Sequence, residues 1–381
     1  MSSSKLFTPI RVGASNLSHR IVLAPLTRYR ANRDHVHGDL AIKYYEQRAS
    51  KPGTLLITEA TFIAPEAGGY RNVPGIWNND QVEAWKRVTT AVHDKQSYIY
   101  LQLWATGRQA MPSILKQEGG YPYVSSSDVA MKGRTPPRPL TKDEIKKYVG
   151  LFSKAAENAL EAGFDGVEVH GANGKVDEDR RLVLIWIEGY LIDQFIQDVC
   201  NKRTDEYGGS VENRTRFALE VTDAVTHAVG QERTGIRLSP WSTFGDMRER
   251  DPIPTFSYLV QQLYDRYPQL SYLHLIEPRV GGDSDARDDG KTDTTQDSNE
   301  FARKIWKDRP LISAGGYQPE TAKQYVEKYD GLVAFGRWYI SNPDLPRRIE
   351  LGADLNEYNR KTFYKPESPE GYIDYPFLDS K

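Results

Sequence analysis

A (β/α)8 barrel with long loops over its C-terminal mouth is the fold this chain predicts, and three observations predict it. Short β-branched or leucine-rich runs recur eight times, each followed by a helical pattern. The polar residues best suited to chemistry fall at the ends of those runs, where barrels of this kind place their reacting groups. The length of 381 residues accommodates such a barrel, commonly ~250 residues, with insertions to spare.

The runs are 21–24, 54–58, 98–101, 166–169, 234–238, 272–276, 310–313 and 332–335. Strands alternating with helices imply βαβ units and a parallel sheet, and a doubly wound sheet is the competing arrangement. Two helices show why the intervening stretches are helical. Thr141 and Glu144 form a Thr-x-x-Glu capping box that opens a helix toward Ala162. Phe217, Val221, Ala224, Val225 and Val229 share one face at 3.6-residue spacing. Residues 110–139, rich in Pro, Gly and Ser, form too long a connection for an ordinary loop and read as an excursion over the mouth. Residues 280–297, dense in Asp and Gly, read as a mobile loop after strand six. The expected organisation is one domain over 1–381.

Composition narrows the function classes. With 39% hydrophobic and 27% charged residues and a net charge of −2, the chain gives no electrostatic case for nucleic acid or an anionic membrane as partner. One cysteine, Cys200, excludes an internal disulfide and suits a reducing compartment. The start of the chain lacks the apolar core of a secretory signal, and the longest strongly apolar run, 182–187, is far short of the ~20 residues a membrane helix needs. Cytoplasmic localisation is the expectation.

Six strand ends contribute candidate residues. Pro25, Leu26 and Thr27 follow the first strand; Gln102 and Trp104 end the third; His170 ends the fourth and Arg237 lies in the fifth. Gly315-Gly316 and Gly336-Arg337 close the seventh and eighth. A phosphate in such barrels commonly sits on the last two loops. Glycines there let backbone N–H groups approach the anion, and an arginine adds charge and fixed donors.

Taken together, several stretches carry a specific likeness: Ala24-Pro25-Leu26-Thr27-Arg28, Gln102-Leu103-Trp104, Thr204 to Ser210 with Glu212-Asn213-Arg214, Phe335-Gly336-Arg337, Ile340 to Leu345, and Gly371 to Pro376. In these the chain resembles the Old Yellow Enzyme family of FMN-dependent ene-reductases over nearly its whole length. The resemblance implies that Gly315, Gly316, Gly336 and Arg337 hold the FMN phosphate. It implies that Gln102 and Arg237 bond the polar edge of the flavin ring, that Thr27 bonds near O4, and that Pro25, Leu26 and Ala60 add contacts. A protein tunes a flavin through such hydrogen bonds and nearby charge. His170 and Asn173 match the family's pair that binds a substrate carbonyl, and two donors converging on that oxygen stabilise the developing enolate. Tyr190 would protonate the α-carbon, since a phenol with reference pKa ≈ 10 keeps its proton at neutral pH. Trp104 and Tyr372 would line the pocket. The implied reaction uses NADPH as transient hydride donor, bound FMN as carrier and an enone or enal as substrate; no metal is implied, and a monomer or homodimer is expected. No Rossmann-type glycine signature is present, which suits a nicotinamide that visits.

In one place the chain departs from the pattern. Asn, Gly and Tyr are consecutive in the family, but here residues 175–189 separate Asn173-Gly174 from Tyr190. Excising those fifteen residues restores Asn-Gly-Tyr, and their bounding codons can carry splice signals, so a retained intron stands beside a genuine loop as an explanation. A flavin-binding protein disabled by the insertion therefore remains an alternative. So does a redox-neutral isomerase or other barrel enzyme gripping a phosphorylated metabolite through Gly315, Gly336 and Arg337.

Overall fold

The computed structural model describes residues 4–172, 189–242, 247–278, 280–281, 284–285 and 297–380. Asn173, Gly174, nearly all of the 175–189 insertion and most of the 280–297 loop lie outside the described residues.

Eight parallel strands close into a barrel: β1 Ile21–Leu23, β2 Leu55–Ile57, β3 Tyr98–Trp104, β4 Gly166–Gly171, β5 Thr234–Leu238, β6 Tyr272–Ile276, β7 Leu311–Ala314 and β8 Leu332–Phe335. Each pairs with the next, and β8 returns to β1. One principal helix follows each strand: α1 Asp39–Arg48, α2 Asn79–His93, α3 Lys142–Glu161, α4 Val211–Val229, α5 Ile253–Arg266, α6 Glu300–Trp306, α7 Pro319–Tyr329 and α8 Leu345–Leu351. This is the predicted (β/α)8 barrel.

Local signals explain the helices. The Thr141 hydroxyl accepts from the Glu144 backbone N–H while the Glu144 carboxylate accepts from the Thr141 N–H, so α3 begins at the predicted capping box. On α4, Phe217, Val221 and Val225 are fully buried, as their spacing requires.

The lower half of the barrel interior is apolar. Leu55, Ile57, Tyr100, Tyr272, Ile312 and Leu332 fill it, and Val12 and Leu17 from the hairpin Ile10–Val12/Ser15–Leu17 plug its base. The Tyr100 and Tyr272 rings pack 5.7 Å apart. Glycine is required opposite each ring: a Cβ at Gly166 would strike Tyr100, and one at Gly235 would strike Tyr272. The segment after β3 lies at the other end of the barrel. Its Ser125 and Ser126 hydroxyls donate to Gln194, on the short helix Leu191–Ile196 that follows β4, and Met111 N–H donates to the Gly69 carbonyl, in the loop after β2.

Candidate active site

Above this apolar floor the interior turns polar. Register pairs Gln102 on β3 with Glu168 on β4, His170 on β4 with Arg237 on β5, and Arg237 with His274 on β6. Because side chains alternate across a strand, these residues all enter the barrel while Val167, Val169 and Leu273 pack outward against the helices. Gln102 Nε2 donates to Glu168 Oε1 at 2.7 Å, and His274 Nδ1 lies 2.8 Å from Glu168 Oε2. Burial opposes the charged form of Glu168, but His274, Arg237 and Gln102 together hold its carboxyl below the usual carboxylate range.

One layer higher, donors lack partners. His170 Nδ1, Arg237 Nε and Trp104 Nε1 are buried with no hydrogen-bond partner among the described residues, and so is His274 Nε2, which accepts rather than donates while Nδ1–H faces Glu168. An unsatisfied buried polar group costs about 1–3 kcal/mol, so four of them around one throat signal a ligand. Burial, then the positive Arg237, hold the His170 ring well below its ordinary pKa. It is a neutral imidazole with one N–H to give.

Aromatic rings wall the mouth. Trp104 packs against Phe62 at 4.8 Å, Tyr70 at 5.8 Å and Tyr190 at 4.6 Å, and Tyr190 lies 4.7 Å from the His170 ring. Ala60 and Tyr29 belong to the same cluster. Tyr190 thus stands beside His170 despite the inserted residues. Its N–H makes a long bond, 3.4 Å, to the Ala172 carbonyl, while Leu191 N–H donates to Ala105 O. Gln194 Nε2 donates to the carbonyls of Gly189 and Thr106, which ties down the far edge of the insertion. Ala172, ahead of the interruption, and Tyr190, behind it, therefore meet.

The remaining predicted residues divide. Pro25 is buried and Leu26 and Thr27 are half-buried at the end of β1. Gly336 comes so close that a Cβ there would lie 3.2 Å from Leu26 Cδ2, which unites the loops after β1 and β8. Gly315 and Gly316 take φ of +129° and +62°, conformations that favour glycine, and Arg337 is half-buried at the start of a short helix. Tyr372 is a correction. It does not join the mouth: its ring stacks on Tyr44 of α1 at 4.1 Å, with the Arg28 and Arg30 guanidiniums within 5.2 and 4.9 Å of its centroid. The neighbouring Tyr364 contacts Tyr29 instead, 5.8 Å between rings, and packs against the aromatic cluster.

This barrel and site define a class: the sequence profile of the NADH:flavin oxidoreductase / NADH oxidase family matches residues 5–178 and 182–356, and the chain belongs to that family. The break in the match falls inside the insertion. Among its relatives, chanoclavine-I aldehyde reductase fgaOx3 of Penicillium roqueforti is 52% identical over 98% of this chain and 96% of its own. A probable inactive reductase, easA of Epichloe festucae var. lolii, is 49% identical over 100% of this chain and 97% of its own. The crystal structure of Old Yellow Enzyme from Pichia sp. superposes with a TM-score of 0.86 at 37% identity, covering 99% of this chain and 95% of that one.

Proposed function

We propose that the protein is a single-domain FMN enzyme that uses NADPH to reduce the C=C bond of α,β-unsaturated carbonyl compounds. The observation that carries this reading is the paired His170 and Arg237, opposite each other in register with buried nitrogens that no described residue satisfies. These groups fit a flavin: Arg237 and Gln102 offer charge and an amide to its polar edge. The glycine backbone of the loops after β7 and β8, with Arg337, offers a cradle for its phosphate. FMN bound there would supply the hydride.

The chain's own residues do the rest. Neutral His170, together with Asn173, donates hydrogen bonds to the substrate carbonyl oxygen and stabilises the negative charge that develops on it. The Tyr190 phenol, held beside His170, delivers a proton to the α-carbon. Trp104, Tyr29, Tyr70 and Tyr364 belong to an aromatic cluster that offers apolar surface to a conjugated substrate. The aldehyde reductases among the relatives support a conjugated enal as one such substrate.

A disabled flavoprotein is the second reading, favoured by the insertion and by a relative named as inactive. Titrating flavin-stripped protein with FMN and then assaying 2-cyclohexenone with NADPH separates the two. Saturable binding, lost in Arg237→Ala, together with turnover lost in His170→Ala, is the expected result. Binding without any turnover in the unmodified chain favours the disabled reading, and absence of FMN binding contradicts both.

A further inference from the structure

The buried carboxylate of Glu168 has no part in the reaction described above, yet it lies fully buried at the centre of the throat. The groups facing it are Gln102 on β3, Arg237 on β5, and Tyr272 and His274 on β6. Both of its oxygens are engaged at short range, Oε1 by Gln102 Nε2 at 2.7 Å and Oε2 by His274 Nδ1 at 2.8 Å. An ionised carboxylate only accepts hydrogen bonds, so this contact decides which way round the Gln102 amide sits: its NH2 faces Glu168 and its oxygen faces away. The other oxygen likewise requires the proton of His274 to be on Nδ1. Removing one partner from such a buried network costs far more than the pair contributes. An apolar filler such as the neighbouring floor residues would pack there without that hazard, so the carboxylate calls for a reason other than stability.

We propose that Glu168, braced by His274, is a positioning residue for the flavin, an inference that rests on the FMN reading above. It fixes the Gln102 amide with its oxygen presented to the ring N–H. It also sets a negative charge one layer below Arg237, opposing the accumulation of negative charge when two electrons enter the cofactor. The redox potential is therefore lower than Arg237 alone would set it. In this arrangement Arg237 holds the cofactor and Glu168 limits how far that cation favours the reduced form.

Two substitutions separate charge from orientation. Glu168→Gln keeps an acceptor for Gln102 and removes the charge, so reduced FMN should gain at least about tenfold in affinity relative to oxidised FMN. That ratio reads as a rise of about 30 mV in the two-electron midpoint potential. Glu168→Leu also frees the Gln102 amide, and oxidised FMN should then bind about tenfold more weakly as well. FMN-loaded Glu168→Gln with an unchanged potential would overturn the inference. Should either Glu168 variant fail to fold, His274→Asn and His274→Leu decide. Asn retains a donor for Glu168 and should keep the original potential; Leu leaves the buried carboxyl to take up a proton, and the potential should rise. Equal potentials in those two variants contradict the proposal. Wild-type protein that takes up no FMN would overturn the cofactor reading itself, whereas the outcomes above overturn only the role of Glu168.

Discussion

The two halves of the barrel interior are built on opposite terms. Below, Tyr100, Tyr272, Ile312 and Leu332 close over an apolar plug, with glycines opposite the two rings. Above, Gln102, Glu168, His170, Arg237 and His274 bring charge and donors into the same tube, and several buried nitrogens find no partner among the described residues. The strands are the same; only the layer differs. Close packing below fixes the frame, and polar groups left wanting above make the place where a ligand completes the structure.

That contrast can be broken most forcefully at the top. His170→Ala should lower kcat/KM for an enone by on the order of 10³, the loss expected from removing one oxyanion donor, with FMN retained and the melting temperature little changed. Steady-state kinetics and flavin release measure it.

Close to the site, the buried Asp193 sharpens the comparison through pH. Burial pushes its carboxyl up to about 7 from 3.8, with Glu249 adding to the rise and the Gln197 amide opposing it. A pKa raised in the folded state means stability that is fully present below about pH 4 and lost as pH climbs through 7. Asp193→Asn removes the titration, so its stability relative to the parent should grow by up to about 4 kcal/mol between pH 4 and pH 8. Denaturant melts across that range test it, and a pH-independent difference would contradict it.

At the bottom the signature should reverse. Leu332→Ala should cost about 2–5 kcal/mol of stability while kcat stays the same. The smallest effect is expected from deleting residues 175–189. Because Tyr190 already meets Ala172 and rests on His170, turnover should change no more than severalfold. A gain of 10² or more would mean that the inserted residues displace Tyr190, the proposed proton donor. Transcript sequencing bears on the same segment, since messages that all encode 175–189 rule out a retained intron.

Much of this was legible in the chain. The eight strands were readable as apolar runs, and α3 starts at the capping box because Thr141 and Glu144 satisfy each other locally. His170 and Arg237 were found because strand ends point at the mouth. Glu168 and His274 carry a weaker signal, polar residues at inward positions of otherwise apolar strands: Glu168 sits two residues before His170, and His274 pairs in register with Arg237. The stretch Gly371 to Pro376 carries a family likeness but does not say which way Tyr372 faces. Its neighbours Tyr44, Arg28 and Arg30 hold it behind the wall. Tyr364 had no signal at all, since it sits in an irregular C-terminal segment without periodicity. The closure of Ala172 on Tyr190 depends on the packing of Gln194 and Leu191 against the loop after β3, which sequence spacing does not reveal.

The most direct test of the central claim is an anaerobic pair of half-reactions on the full chain loaded with FMN. NADPH should bleach the flavin absorbance, and 2-cyclohexenone added afterwards should restore it with cyclohexanone as product. Flavin that bleaches but regains its colour only when air is admitted would contradict the account.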